Sequence, residues 1–319
     1  MRITKKMAKE ILEVLDEIRK NMFEGRKREY PFNEWERKRE LVRQRLEKLP
    51  ELIEEAASMV KIASKRGRNK RMNLEERTSL LLFAKVFGKS NRDMELMITM
   101  LKPVFKTSVS YKTIERLYSD EEVKSCLYNL FVLLLKEEGT SGKYAGDGTG
   151  YTLSITKHYA SNTKKKGKDF RYTFRVIDLE TNLCVAFGYS NHSEKEAFEK
   201  AMKMLDECDI EIESMRLDKY YSSRKVIRYF GREISLYLLP KKNISKVGVE
   251  WYRIFKKILC DPIEFLSNYF KRNLCESSFS SDKRRFGWII RQKRDDRIEL
   301  ALFVITILHN IFAIRVKVS

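Results

Sequence analysis

The reading starts from Tyr269-Phe270-Lys271-Arg272-Asn273-Leu274-Cys275-Glu276-Ser277-Ser278-Phe279-Ser280-Ser281-Asp282-Lys283. Arg272, Glu276 and Lys283 follow Tyr269 at offsets of 3, 7 and 14 residues. On one helix turning about 100° per residue, those offsets fall near 300°, 340° and 320°, so the four side chains share one narrow face. That face carries a single carboxylate among two cations and a phenol, a composition suited to a metal ligand beside phosphate-gripping groups. The helix is weakest from Ser277 to Asp282, where serines lower helical propensity.

Totals narrow the class. The chain has 319 residues, room for about two domains of roughly 150 residues each. Its 43% hydrophobic content supports a packed core and argues against disorder. With 65 Lys and Arg against 45 acids the net charge is +20, which favours a polyanionic partner, most simply nucleic acid. The five cysteines (Cys126, Cys184, Cys208, Cys260 and Cys275) form no Cys-x-x-Cys pair, so neither a disulfide framework nor a zinc site is indicated and a reducing compartment fits. The start, Met1 to Lys6, runs into a charged amphipathic helix and not a signal peptide. Leu300 to Ile314 is the longest apolar run; Thr306, His309 and Asn310 interrupt it, and it reads as a buried core helix with no role in a membrane.

Upstream, residues 4–63 read as three helices, the first capped by Thr4, the second by Asn33 and ended at Pro50, the third from Leu52 to Ile62. Lys65 to Arg71 is a basic run, either a solvated turn or a phosphate contact. Residues 73–137 form a second helical group. Within it a helix from Ser90 to Leu101, a brief turn, and a Ser-capped helix through Tyr111, Lys112 and Arg116 match a helix-turn-helix, with those three side chains toward a DNA groove; an ordinary helical hairpin is the alternative. From Lys143 the pattern becomes β-β-β-α-β-α-β-α, a mixed sheet with helices packed on it. Three regions follow: a helical N-terminal region (1–72), a helical DNA-binding region (73–140) and an α/β domain (141–319).

The α/β region supplies two more acids by context. Asp147 lies in the first strand and Asp218 ends the fourth; a sheet that sets those strands side by side makes the two Asp neighbours, and a late helix brings in Glu276. Each has an ordinary alternative: a turn residue for Asp147, a helix cap for Asp218, a surface ion pair with Arg272 for Glu276. Three carboxylates without His or Cys prefer hard divalent ions, Mg²⁺ or Mn²⁺. Two such ions can activate a water or a 3′-hydroxyl and stabilise the leaving oxygen at a phosphodiester. Asp261-Pro262 with Glu264 is a sound helix start. Trp288 reads as core or as a base-stacking aromatic, and His309 as a core residue.

These acids, with Tyr269, Arg272 and Lys283 at their spacing, resemble the catalytic core of bacterial and archaeal DDE insertion-sequence transposases bearing the Tyr-(2)-Arg-(3)-Glu-(6)-Lys signature, here followed by Arg284-Arg285-Phe286-Gly287. The resemblance covers residues 143–316 and implies an RNase H-like fold. It implies that Asp147, Asp218 and Glu276 bind two Mg²⁺ ions, with Mn²⁺ able to substitute, and that Tyr269, Arg272, Lys283 and Arg284 hold DNA phosphates. It further implies recognition of terminal inverted repeats by the preceding residues, joining of 3′ ends to target DNA, a homodimer on the double-stranded DNA, and a place in the nucleoid of a prokaryotic cytoplasm. Some relatives carry a large β-rich insertion before the Glu helix, where this chain has only Lys241 to Asp261. A metal-dependent endonuclease of the same fold and a non-catalytic DNA-binding regulator are the rival readings.

Overall fold

The computed structural model describes residues 4–23, 31–61, 70–102, 108–153, 170–241 and 247–313. The basic runs at 65–69 and 164–168 lie outside these ranges.

Among the described residues six helices precede the sheet: α1 (Lys5–Phe23), α2 (Phe32–Ser58), α3 (Leu74–Val86), α4 (Asn91–Met100), α5 (Tyr111–Leu117) and α6 (Glu121–Glu138). Thr4 accepts a hydrogen bond from the Met7 amide (3.3 Å), and capping boxes start α3 at Asn73 and α4 at Ser90. The expected break at Pro50 does not occur. Helix α2 runs through it, and the helix starts at Pro31 with no side-chain cap, so Asn33 is not the cap. An interior proline forfeits one hydrogen bond and costs about 3 kcal/mol. Packing offsets this here: Ile53, Ala56 and Ala57, just past the proline, are buried, and α2 packs against α3 and α6.

The sheet follows in the order β3-β2-β1-β4-β5, with β6 added beside β1. Its strands are β1 (Lys143–Leu153), β2 (Phe170–Asp178), β3 (Cys184–Ser190), β4 (Ser214–Leu217), β5 (Ser235–Leu238) and β6 (Ile289–Ile290). β1, β2 and β3 form an antiparallel meander, while β4, β5 and β6 run parallel to their neighbours, so the sheet is mixed. Between and after them lie α7 (Glu194–Glu207), α8 (Arg224–Tyr229), α9 (Val249–Cys260), α10 (Pro262–Phe270), α11 (Asn273–Phe286) and α12 (Asp295–Phe312). The sequence missed β6, two residues being too short for a periodic signal.

Helix α7 packs tightly on β3 because Gly188 has no side chain; a Cβ there would collide with the Ala197 carbonyl. Its inward residues, Ala197, Phe198, Ala201, Met202 and Leu205, are all buried. Helix α12 is apolar almost all round, and residues from Leu300 to Ile311 are buried throughout. It touches β3 on one side and α2, α3 and α6 on the other, so one apolar core runs from Ala8 to Ile311. Among the described residues no helix is long and apolar enough to cross a membrane.

Candidate active site

The site is built on one edge of β1. That edge pairs with β4 as far as Gly146 opposite Leu217, and with β6 from Thr152 opposite Ile289. From Asp147 to Tyr151 it has no strand partner among the described residues, which leaves a notch in the sheet. Asp147 opens the notch, and Asp218 follows Leu217 directly, so parallel pairing of β1 with β4 makes the two acids neighbours as their order required. Asp147 sits in a strand and not in a turn. Asp218 does cap a short 3-10 turn, accepting from the Tyr220 amide at 2.8 Å, and its second oxygen remains for the site.

The segment carrying Glu276 is held against the face of β1 that bears the Asp147 side chain. The Cys275 thiol donates to the Ala145 carbonyl (3.3 Å), and the Lys283 ammonium donates to Thr149 Oγ1 (2.7 Å) and the Gly150 carbonyl (3.0 Å). Between these points Asp282 accepts from buried Arg175 of β2 at 2.5 Å and meets His309 Nδ1 at 3.2 Å. His309 is thus a satisfied core residue, also bonded to the Asn182 carbonyl. The expected single helix is interrupted. Helix α10 ends at Phe270, Lys271 and Arg272 form a tightened turn, and α11 begins at Asn273. The serine-rich stretch holds as helix because Ser278, Phe279 and Asp282 are buried on its inner face. Asp261 caps α10 from Pro262 as the sequence indicated, accepting from the Glu264 amide.

The four signature residues therefore split into two groups. Arg272 Nη1 reaches both Glu276 (2.9 Å) and Asp218 (3.4 Å), and its guanidinium lies 5.2 Å from the Tyr269 ring centre. Burial opposes the Arg272 charge, but Tyr269, Asp218, Glu276 and Asp147 outweigh it and raise its pKa. Tyr269 is buried (4% exposed), so it supports Arg272 from beneath and does not face solvent. Lys283 stands further along the notch, near the rings of Tyr151 (4.8 Å) and Trp288 (5.6 Å). Arg284 is exposed and, among the described residues, bonds to Ser280 of its own helix.

A fourth carboxylate comes from the opposite face. Glu194, the first residue of α7, lies against the bare Cα of Gly148, where any Cβ would collide with it, and it accepts from the Tyr221 hydroxyl. Sequence reading passed over Glu194 because an acid in a first helical turn is already explained by the helix dipole. The signal available was glycine on both sides of Asp147, which lets a side chain from the far face approach the strand.

Burial pushes the Asp147 carboxyl up to about 7; Asp218 and Glu194 add to this, while the Gly148 amide and Arg272 oppose it. The donor set is carboxylate only, as Mg²⁺ or Mn²⁺ would require. No group of three His, Cys, Asp or Glu among the described residues is drawn together tightly enough to hold a metal ion. A guanidinium stands where the carboxylates converge and serves as their cation, and its Nε is buried without a partner.

In the helical half, α5 starts with Ser110 accepting from the Thr113 amide. Lys112 and Arg116 are exposed one turn apart, whereas Tyr111 is partly buried with the Arg92 guanidinium 5.2 Å from its ring. Trp288, which the sequence left between core and surface, is 60% exposed.

Fold and site together define a mixed α/β protein with acids and cations gathered on an open strand edge. No family model matches the chain. It is 55% identical over 315 residues to the "Probable transposase for insertion sequence element ISA1214" of Archaeoglobus fulgidus, an alignment covering 99% of this chain and 98% of that one. The chain belongs to that family of insertion-sequence transposases. Among solved structures it resembles a piggyBac transposase synaptic complex with hairpin DNA, at TM-score 0.48 and 9% identity over 82% of this chain and 70% of that one, too slight a likeness to carry the argument.

Proposed function

We propose that the protein is a transposase that binds the ends of its element, cleaves phosphodiesters there and joins the 3′ ends to target DNA. The observations that support this are that Asp147 and Asp218 are strand neighbours at one gap in the sheet and that Asp218 and Glu276 meet on one guanidinium nitrogen. In this reading the core is RNase H-like, Asp147, Asp218 and Glu276 hold two Mg²⁺ ions, with Mn²⁺ able to substitute, and Glu194 closes the set from the far face. The ions supply Lewis acidity and an activated oxygen nucleophile. Arg272, supported by Tyr269, exchanges its carboxylate contacts for a DNA phosphate, and Lys283 and Arg284 hold phosphates further along. Lys112 and Arg116, with Tyr111 behind them, contact the inverted repeat as part of a helix-turn-helix, and the protein acts as a homodimer on double-stranded DNA. The three-region division at residues 72 and 140 belongs to the same proposal.

The test is strand transfer with pre-cut ends in Mg²⁺. Products of joined length are expected, and Asp147→Asn or Asp218→Asn should lower the rate on the order of 10³-fold or more, since several kcal/mol of transition-state stabilisation is removed. Cleavage without joining would favour the endonuclease. Binding of DNA with no chemistry in either metal would favour the regulator. Normal metal-dependent cleavage by Asp147→Asn would overturn the catalytic assignment.

A further inference from the structure

Two ends bound the notch in β1. The carboxylates occupy one, and the other is closed by β6, immediately after Trp288. Trp288 is 60% exposed, a large apolar area on a stretch of chain whose backbone is held on both sides. Behind it Gly287 makes the turn out of α11 at φ +95°, a conformation that favours glycine. Ahead of it β6 pairs with β1, and Arg291 donates to the Gly88 carbonyl (3.3 Å). Beside it the Lys283 ammonium is fixed by Thr149 and Gly150, 5.6 Å from the indole centre. An exposed aromatic on a held backbone beside a fixed cation loses little conformational freedom on binding, having only two side-chain torsions to order, which is the physical profile of a contact anchor.

The surroundings indicate what it anchors. Arg284, Arg285 and Lys293 are exposed nearby in the chain and form no ion pair with a carboxylate among the described residues. On a chain of net charge +20, that setting repels a second copy and attracts a polyanion. An intact duplex offers an indole only edges and backbone, because its base faces are already stacked. An aromatic face takes up a base only where the base is unpaired or terminal.

We propose that Trp288 is a stacking platform for an unpaired nucleobase at a DNA end, with Lys283 beneath it and the adjoining cations on the backbone. The inference rests on the reading of DNA as substrate. It adds that a strand whose phosphodiester lies at Asp147 and Asp218 runs along the open edge of β1 and ends with a base on the indole.

The experiment uses the full chain without divalent metal, so that nothing is cut. Affinity is measured by anisotropy for a short duplex, either blunt or with a single-stranded extension containing 2-aminopurine. The wild type should prefer the extended duplex about tenfold, the scale of one base–aromatic stack, and quench the 2-aminopurine. Trp288→Ala should lose the preference and the quenching while keeping its blunt-duplex affinity, and Trp288→Phe should keep most of both. Equal preference in the wild type and Trp288→Ala would overturn the inference alone. A change in sedimentation of Trp288→Ala with unchanged DNA preference would instead mark a contact between copies and overturn it as well. Failure of the wild type to bind either duplex would overturn the DNA reading and this inference with it.

Discussion

Two arginines meet carboxylates on the same side of the sheet, and they do so in opposite ways. Arg175 faces one acid, Asp282, and that pair is sealed: the side chains are 0% and 5% exposed, with His309 and the Phe279 ring closing it. Arg272 faces Asp218 and Glu276 with Asp147 close by, and Glu276 is 54% exposed. The first cluster is balanced in charge and ties α11 to β2. The second holds more carboxylates than cations and is open to solvent. An excess of partly buried negative charge is costly unless an ion or ligand relieves it, so the imbalance is what the proposed function would use in the second cluster, while the balanced first cluster needs no ligand.

The comparison breaks most sharply at Asp282. Asp282→Ala leaves Arg175 buried without its carboxylate and should destabilise the fold by about 3–5 kcal/mol. Urea unfolding measures it; a loss no larger than that of Arg272→Ala would remove the distinction between the clusters. Next, Mg²⁺ should stabilise the wild type by about 2.7 kcal/mol at a hundredfold excess over its Kd, and do so far less in Asp147→Asn or Asp218→Asn. Calorimetric melting with and without the ion reads this directly.

The two clusters should also differ in the sign of their pH dependence. Burial opposes the Asp282 charge, but His309 and Arg175 outweigh it and hold its carboxyl below the usual range. Its stabilisation is therefore present above the unfolded-state pKa and lost as pH falls through the lower folded value. Asp147 behaves inversely. Its folded value near 7 lies above the unfolded value, so the folded state keeps a proton that the unfolded state has released, and stability falls as pH rises from about 4 to 7. In metal-free protein, Asp147→Asn should thus gain about 1–2 kcal/mol above pH 7 and nothing below pH 4, after discounting the shift for relaxation and solvent. Unfolding across that range checks the sign. The smallest expected effect on stability is from Gly148→Ala, whose methyl displaces the flexible Glu194 side chain. We expect a loss within about 1 kcal/mol but clearly weaker Mg²⁺ binding by titration calorimetry; unchanged binding would take Glu194 out of the site.

Much of the succession of strands and helices was legible because alternation and caps encode it locally. Strand β2, the Ser193 cap of α7 and the Asp261-Pro262 start of α10 all carry local signals. The adjacency of Asp147 and Asp218 was conditional on strands one and four lying side by side, and the structure supplies that pairing. What escaped depends on distant partners. Pro50 stays helical only because residues beyond it are buried by other helices, and the turn at Lys271–Arg272 leaves no residue-level mark. Glu194 joins the site because Gly148 presents no side chain to the far face, a close approach that no periodicity reports. Trp288 is exposed because two-residue β6 turns the chain along the sheet edge, a feature below the reach of pattern reading.

Helix α12 makes the two halves of the molecule interdependent. It packs between the sheet and the first helices, against α2, α3, α6 and β3. The early helices and the strands bearing Asp147 and Asp218 therefore share one interior built around a single apolar rod, and neither half closes its core without it.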